Sequence, residues 1–349
     1  MNLSRLLLMV TTRPWRGLLD ELATPAAGAW SLRRLTGAYA GPCINVRRDS
    51  DNTTQDISFT LSGDLNVAGL LAFVGAGNGF VKIWYDQMPG AAHLSQANMA
   101  SQPQIVANGK AFAWPSWSAR QAIETNGGTL GANGSFLCTS IPAAALVFPQ
   151  PLTRSSVLAF PWELASGNGN PIVLNSGDTT HIELYQGSNS TLITFAYNTT
   201  SGGTGFTCAS GIAVGTTGQV LELLNEGAST VYFNGMPASG GVGTGESEMM
   251  CVGADNNGVS RCSQGLYGEV IEFAQLLPAT DQQALLMDQC AYWGTASPYR
   301  ALVLSDSPYA YWPLDESSGT TAKDISGNAR NGSKRPTTTV LDSMLVSNS

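Results

Sequence analysis

The sequence predicts an all-β fold, an antiparallel sandwich or barrel carrying a few short helices, and three observations predict it. Only 12% of the residues are charged while glycine numbers 39 among 349, the profile of many short strands joined by turns. From about residue 155 strand signals follow one another closely: SSVLAF, NPIVLN, HIELYQG, TLITFAYN, QVLELLN, STVYFNG, EMMCVGA and LYGEVIEFAQLL, each bounded by Gly, Asn, Ser or Pro. Asn-Gly and Glu-Gly turns lie among them, and such turns join antiparallel neighbours rather than βαβ units.

A chain of 349 residues exceeds the roughly 250 to 300 at which a single core stops growing, so one large domain with appendages is expected. Residues 1–27 read as an amino-terminal arm, with a short amphipathic piece from Trp15 to Leu22 and a break at Thr24-Pro25-Ala26-Ala27. Residues 28–296 form the sandwich domain. Within it Asp64 is the expected cap of a helix on which Val67, Leu70, Leu71 and Val74 share a face and which Gly75 ends. FVKIWY, ending at Tyr85, reads as a strand, and a last helix runs from a Thr280 cap through Leu285, Leu286 and Met287 to Gly294. Residues 297–349 hold one aromatic strand and a Ser/Thr-rich tail, too poor in apolar residues for a core of their own.

A net charge of −8 and the absence of any extended Lys/Arg surface exclude nucleic acid as a partner. No window reaches the length of a membrane span, and Leu6 to Val10 is too short for a signal core, so a soluble protein made in a cytoplasm is expected. Six cysteines without a CxxC pair, beside only two histidines, argue against structural zinc. Scattered thiols in a chain this long are expected to be reduced and buried, and any pairing would be one of fifteen.

Two stretches carry resemblances. AWSLRRLTGAYAGPCINVRRDSDNTTQDISF together with LLAFVGAGNGFVKIWYDQ resembles catalytic domains of the α-L-arabinofuranosidase B type, and their relatives in phage virion and tail proteins. That family is a concanavalin A-like β-sandwich, or jelly roll, so the resemblance implies this fold for residues 28–296. AYWPLDESSGTTAKDISGNARNG is similar to the opening strands of a laminin-G-like module, which the chain is too short to complete.

Enzymes of the arabinofuranosidase type are retaining glycosidases and need two carboxyl groups about 5 to 5.5 Å apart. VGADNNG matches the loop of the family's acid and places Asp255 there, with Ala254 in place of a glycine. Setting ITFAYNTTSGG against the nucleophile strand puts Ala196 at the nucleophile's position, while Glu183 of HIELYQG matches a non-catalytic glutamate. The adjacent cysteine pair of the fungal enzymes is missing. Asp255 and Glu183 therefore stand as vestigial candidates for catalysis.

Further constellations complete the inventory. Arg47, Arg48, Asp49, Asp51 and Asp56 are packed into GPCINVRRDSDNTTQDI and are expected to form a partly buried ion-paired brace for the first strands. Asp49-x-Asp51-x-Thr53 has calcium-loop spacing, but Thr54 and Thr60 stand where an EF-hand needs glycine and an acid. A turn bonded by Asp and Asn side chains is the simpler reading, a non-EF structural calcium site the alternative, and no other metal or cofactor is expected. Candidate sugar contacts are Asp255, Asn256, Trp114, Trp117, Tyr85 and Asp86; core packing is the bland reading for Tyr85, exposure the expectation for Trp114 and Trp117.

The expectation is thus a non-enzymatic structural protein of a phage virion, with extended terminal arms, other virion proteins and further copies of itself as partners, and host surface glycans as ligands of a lectin-like face. The alternative is a retaining α-L-arabinofuranosidase-like hydrolase acting on surface polysaccharide.

Overall fold

A computed structural model describes residues 15–295 except 116, 127–133, 140–145, 161–171, 176–181, 188–190, 197–203, 211, 213–215 and 255–261, together with parts of 303–333. The chain divides into two compact units, Met1–Ala296 and Ser297–Ser349. In the first unit the leading strands are β1 (Gly28–Ser31), β2 (Ile44–Arg48) and β3 (Thr54–Ile57), followed by α1 (Val67–Val74) and by β4 (Gly79–Trp84), β5 (Leu94–Ser95) and β6 (Gln104–Ala107). Short strands β7 (Lys110–Ala111), β8 (Ala113–Trp114), β9 (Trp117–Gln121), β10 (Ile123–Thr125) and β11 (Leu137–Cys138) come next. The serial region supplies β12 (Leu152–Phe160), β13 (Ile172–Asn175), β14 (Ile182–Gly187), β15 (Thr191–Ala196), β16 (Thr204–Ala209), β17 (Thr216–Leu224), β18 (Ser229–Phe233), β19 (Met236–Gly240), β20 (Cys251–Val252) and β21 (Gly265–Phe273), and α2 (Ala279–Trp293) closes the unit.

Every strand pairing among the described residues is antiparallel, and β4 is the seam of the sandwich. Its first residues, Gly79 and Phe80, pair with β6, from which one layer continues through β10, β21, β12, β17, β18 and β19. Its last residues, Ile83 and Trp84, pair with β5, from which the other layer continues through β11, β20, β13, β14, β15 and β16. The concanavalin-like sandwich is therefore the fold. Side chains alternate across each strand, so Leu137, Leu174, Leu184 and Val252 of one layer meet Trp30, Val220 and Val270 of the other in the main apolar core.

Polar groups punctuate both faces of the first layer. On the inner face Arg154 lies in register with Glu222 and Glu272 on the flanking strands. It donates to Glu222 at 2.5 and 3.0 Å and across the sandwich to the Ile182 carbonyl at 3.1 Å. On the outer face, under α2, buried Glu269 accepts from Arg33 at 2.8 and 3.2 Å, from Ser31 at 2.8 Å and from Gln289 at 2.9 Å. Gln289 in turn accepts from Ser155 and Gln219.

Local details correct several expectations. Residues 15–27 are fastened down: Leu18 is buried against the sandwich, Asp20 accepts from the Gly17 and Gly37 amides, and Asp281 of α2 accepts from the Ala23 and Thr24 amides. Asn66, not Asp64, caps α1 by accepting from Gly69, and Gly75 ends it at φ +70°. Asp64 instead binds Arg120 and Tyr292. Pro278, not Thr280, precedes α2, and left-handed Gly294 stops it.

The expected state of the cysteines also changes. Cys138 and Cys251 face each other across β11 and β20 and form a disulfide, whereas Cys43, Cys208, Cys262 and Cys290 take no part in a disulfide. In the second unit the described residues include a small ladder, β22 (Thr321–Ala322) with β23 (Gly332–Ser333). Asp324 organises it by accepting from the Tyr311, Ser326 and Arg330 amides.

The disulfide spans 113 residues, and closing so long a loop in the unfolded chain corresponds to about 4 to 5 kcal/mol in the chain-entropy model. Replacing both partners by alanine is expected to lower the unfolding free energy by about 2 to 5 kcal/mol, measured by guanidinium titration. A second expectation concerns pH. Burial raises Glu272 to about 8, Glu124 to about 7 and Asp86 to about 6, above the roughly 4 of unfolded carboxyls. The folded state then binds these protons more tightly, so their stabilisation is full below about pH 4 and lost as pH rises through 6 to 8. Glu269 and Asp281, held low by their donors, act in the opposite sense and lose their contribution below about pH 4. Thermal unfolding should therefore peak near pH 4 to 6 and decline towards pH 9, and Glu272→Gln should flatten the upper part of that decline.

Candidate active site

One row of residues crosses the second layer on the face turned away from the core. Ser95 pairs with Cys138, Cys138 with Cys251, Cys251 with Asn175, Asn175 with Glu183 and Glu183 with Phe195. The neighbouring row, Leu137, Val252, Leu174 and Leu184, points into the core. Strand alternation thus sends the disulfide, Asn175 and Glu183 to the opposite side. Ser95 is exposed and Cys138 half-buried, while Cys251 and Asn175 are fully buried and Glu183 is 1% exposed.

The same register bears on the nucleophile. Ala196 pairs with Ile182, and Ile182 is buried with Leu152, Leu224 and Val242. Position 196 is therefore in register with a core residue, its side chain lying outside the described residues, and the strand carboxylate of the outward row is Glu183. The segment bearing Asp255 leaves β20, only one strand away from β14 in the same layer. Gly253 opens that exit at φ +87°, and a Cβ there would lie 2.7 Å from Thr125 Cγ2. Asp255 and Asn256 themselves lie outside the described residues.

The remaining sequence candidates are placed elsewhere. Trp114 is 1% exposed and packs on Trp293 with ring centroids 5.1 Å apart, so its face is unavailable to a sugar. Trp117 sits in β9 opposite Trp114, and its side chain is outside the described residues. Asp86 is buried and accepts from the Ala29, Met88 and Ala92 amides, which makes it the anchor of a turn. Tyr85 donates to Asp56 at 2.8 Å and packs edge-on against His93.

The charged stretch is braced by hydrogen bonds more than by ion pairs. Arg48 and Asp51 form its ion pair among the described residues, at 2.6 Å. Arg47 bonds Gln102, Asn52 and the Met99 carbonyl and stacks over Phe80; Asp49 accepts from Asn78, and Asp56 from Asn45 and Tyr85. Asp51 is taken up by Arg48 and Thr53 and is held well below the usual carboxylate range by them. Both Asp49 and Asp51 are thus engaged by protein donors, as in the hydrogen-bonded turn.

Sequence reasoning missed Asn175 and the disulfide. Asn175 ends the apolar run IVLN, a polar residue buried at a strand end and hence a signal available to be weighed. Nothing in the cysteine spacing marks Cys138 and Cys251 as partners, because their pairing follows from the meeting of β11 and β20.

Comparison with known proteins follows this geometry. Residues 18–129 match the family model described as α-L-arabinofuranosidase B, catalytic. An α-L-arabinofuranosidase of Hypocrea jecorina is 41% identical over 75 residues, which are 21% of this chain and 15% of that protein. Among solved structures, a mutant family-54 α-L-arabinofuranosidase soaked with 4-nitrophenyl α-L-arabinofuranoside superposes with a TM-score of 0.56 at 13% identity. That superposition covers 78% of this chain and 63% of the other. A family-54 α-L-arabinofuranosidase soaked with a cyclic sulfate inhibitor gives a TM-score of 0.51 at 13% identity over the same shares. The chain thus spans under two thirds of the length of each of these relatives, and the structural likeness is one of fold.

These findings overturn the expectation of a non-enzymatic phage virion component, and with it the tail, capsid and virion location. The matched sequence model is that of a catalytic domain, and the relatives it agrees with are hydrolases. What this chain shares with them is the α-L-arabinofuranosidase B catalytic-domain pattern over residues 18–129 and the sandwich that carries it.

Proposed function

We propose that this chain is a retaining glycoside hydrolase acting on α-L-arabinofuranosyl groups of polysaccharide. The observation that carries the reading is the match of residues 18–129 to the arabinofuranosidase catalytic-domain model. The likeness of the sandwich to family-54 enzymes and the outward-facing row of Asn175 and Glu183 support it. The disulfide is also in keeping with a protein that works in an oxidising environment.

In this reading Glu183 is the nucleophile and Asp255 the acid/base. Glu183 attacks the anomeric carbon while Asp255 protonates the departing oxygen. The glycosyl ester is then hydrolysed by a water that Asp255 deprotonates, so the configuration is retained. Asn175, beside Glu183 in register, is placed to orient that carboxylate or a sugar hydroxyl. The cross-strand disulfide fixes the strand next to it.

The test is hydrolysis of 4-nitrophenyl α-L-arabinofuranoside. Wild-type protein is expected to release nitrophenol, and Glu183→Gln and Asp255→Asn are each expected to lower kcat on the order of 10³-fold or more while circular dichroism stays unchanged. Full activity in Glu183→Gln would remove that residue from the mechanism. An inactive wild type made active by Ala196→Glu would return the nucleophile to β15.

A further inference from the structure

A cleft of about 670 Å³ lies on the other layer, between the turn at Trp15–Glu21, Arg33 and Arg34 after β1, the turn at Ser62–Asp64 and the flank of α2. It shares no residue with the row of Glu183. Three arginines, Arg16, Arg33 and Arg34, line it, Arg120 stands behind Asp64, and all but Arg34 are neutralised. Arg16 pairs with Glu21, Arg120 with Asp64, and Arg33 with both Glu269 and Asp288.

Arg34 is the exception. Among the described residues its guanidinium meets no carboxylate and donates no hydrogen bond, and its Nε is buried without an acceptor. Its guanidinium carbon lies over the Trp15 ring, 3.8 Å from the centroid. Stacking holds the guanidinium plane still and leaves its N–H edges for a planar bidentate acceptor, the geometry of a carboxylate.

The opposite wall supplies complementary groups. Asp288 meets Arg33 through its buried Oδ1 while its side chain is 39% exposed, so its second oxygen is the one open to the cleft. The Ser62 hydroxyl at the rim is taken up by Asp64 and Thr60, and the apolar flank is formed by Met287, 52% exposed, with Ala284 and Ala291. One cation for a carboxylate, a carboxylate for neighbouring hydroxyl groups, and an apolar flank for a ring face together describe an acidic sugar.

We propose that this cleft binds a hexuronate residue of an acidic polysaccharide, with Arg34 holding its carboxylate and Asp288 its hydroxyls. The proposal rests on the carbohydrate reading above for its choice of a sugar, and it adds a second attachment point away from the Glu183 row.

Calorimetric titration of the full chain with trigalacturonate tests it, with neutral arabinotriose, polyglutamate and inorganic phosphate as comparison probes. Binding of trigalacturonate alone is expected, weakened at least tenfold by Arg34→Gln and by Met287→Glu, a surface change on α2 that places a negative charge at the rim. Both variants should keep wild-type rates on 4-nitrophenyl α-L-arabinofuranoside. Absence of trigalacturonate binding, or binding undiminished in both variants, would overturn the site. Equal affinity for polyglutamate or phosphate would show that Arg34 reads charge alone and would overturn the sugar assignment. Failure of the hydrolase reading is distinct: the arabinofuranoside would then be untouched while trigalacturonate binding persisted.

Discussion

The first layer depends on a buried anion, Glu269, and on the donors that surround it. A carboxylate removed from water is tolerable only when its oxygens are filled by hydrogen-bond donors and its charge is matched, and here Arg33, Ser31 and Gln289 meet those needs. Each donor belongs to a different piece of chain. Ser31 fixes β1 against β21, Arg33 fixes the segment leaving β1, and Gln289 fixes α2 on the sheet. Because β21 pairs with β12 on one edge and with β1 and β10 on the other, one side chain sets the position of most of the layer. It also sets the cleft: with Arg33 drawn inward to Glu269, the next residue, Arg34, is turned to the rim and stacks on Trp15.

The inner face of the same strands repeats the device with another outcome. Arg154 joins Glu222 within the layer and reaches the Ile182 carbonyl of the opposite layer, so a guanidinium bridges the two sheets where apolar packing would otherwise be continuous. Glu272 shares that interior and, deprived of water, is pushed up to about 8. Its neighbour Ser247 bonds one oxygen while the other has no partner. These carboxylates are closed off inside the sandwich and act on stability. Glu183 is on the opposite face of its layer, which is why it, and not Glu222 or Glu272, is the carboxylate proposed for chemistry.

Strand identity was largely legible in the sequence. Each apolar run from SSVLAF to LYGEVIEF became a strand, and the helices fell near Val67–Val74 and Ala279–Trp293, because alternation and helical spacing are local signals. The candidate site was less legible. The meeting of Cys138 with Cys251, the burial of Trp114 against Trp293 and the engagement of Arg33 by Glu269 all join segments more than a hundred residues apart. No short window contains that information. Asp64 shows the same limit on a smaller scale: it has the chemistry of a helix cap, yet a distant Arg120 and Tyr292 claim it, and Asn66 caps the helix instead.

Strand parity explains why the nucleophile was the hardest residue to place. Side chains alternate with a period of two, so a slip of one residue in an alignment carries a carboxylate from the solvent side of a sheet to its core. Aligning ITFAYN by its turn put the nucleophile at Ala196, a position in register with core Ile182. The adjacent strand carries Glu183 on the face turned from the main core, in register with Asn175 and, through it, with the disulfide strand. A missing carboxylate at one aligned position is therefore weak ground for calling such a fold inactive; the face on which the remaining carboxylates stand is the stronger criterion.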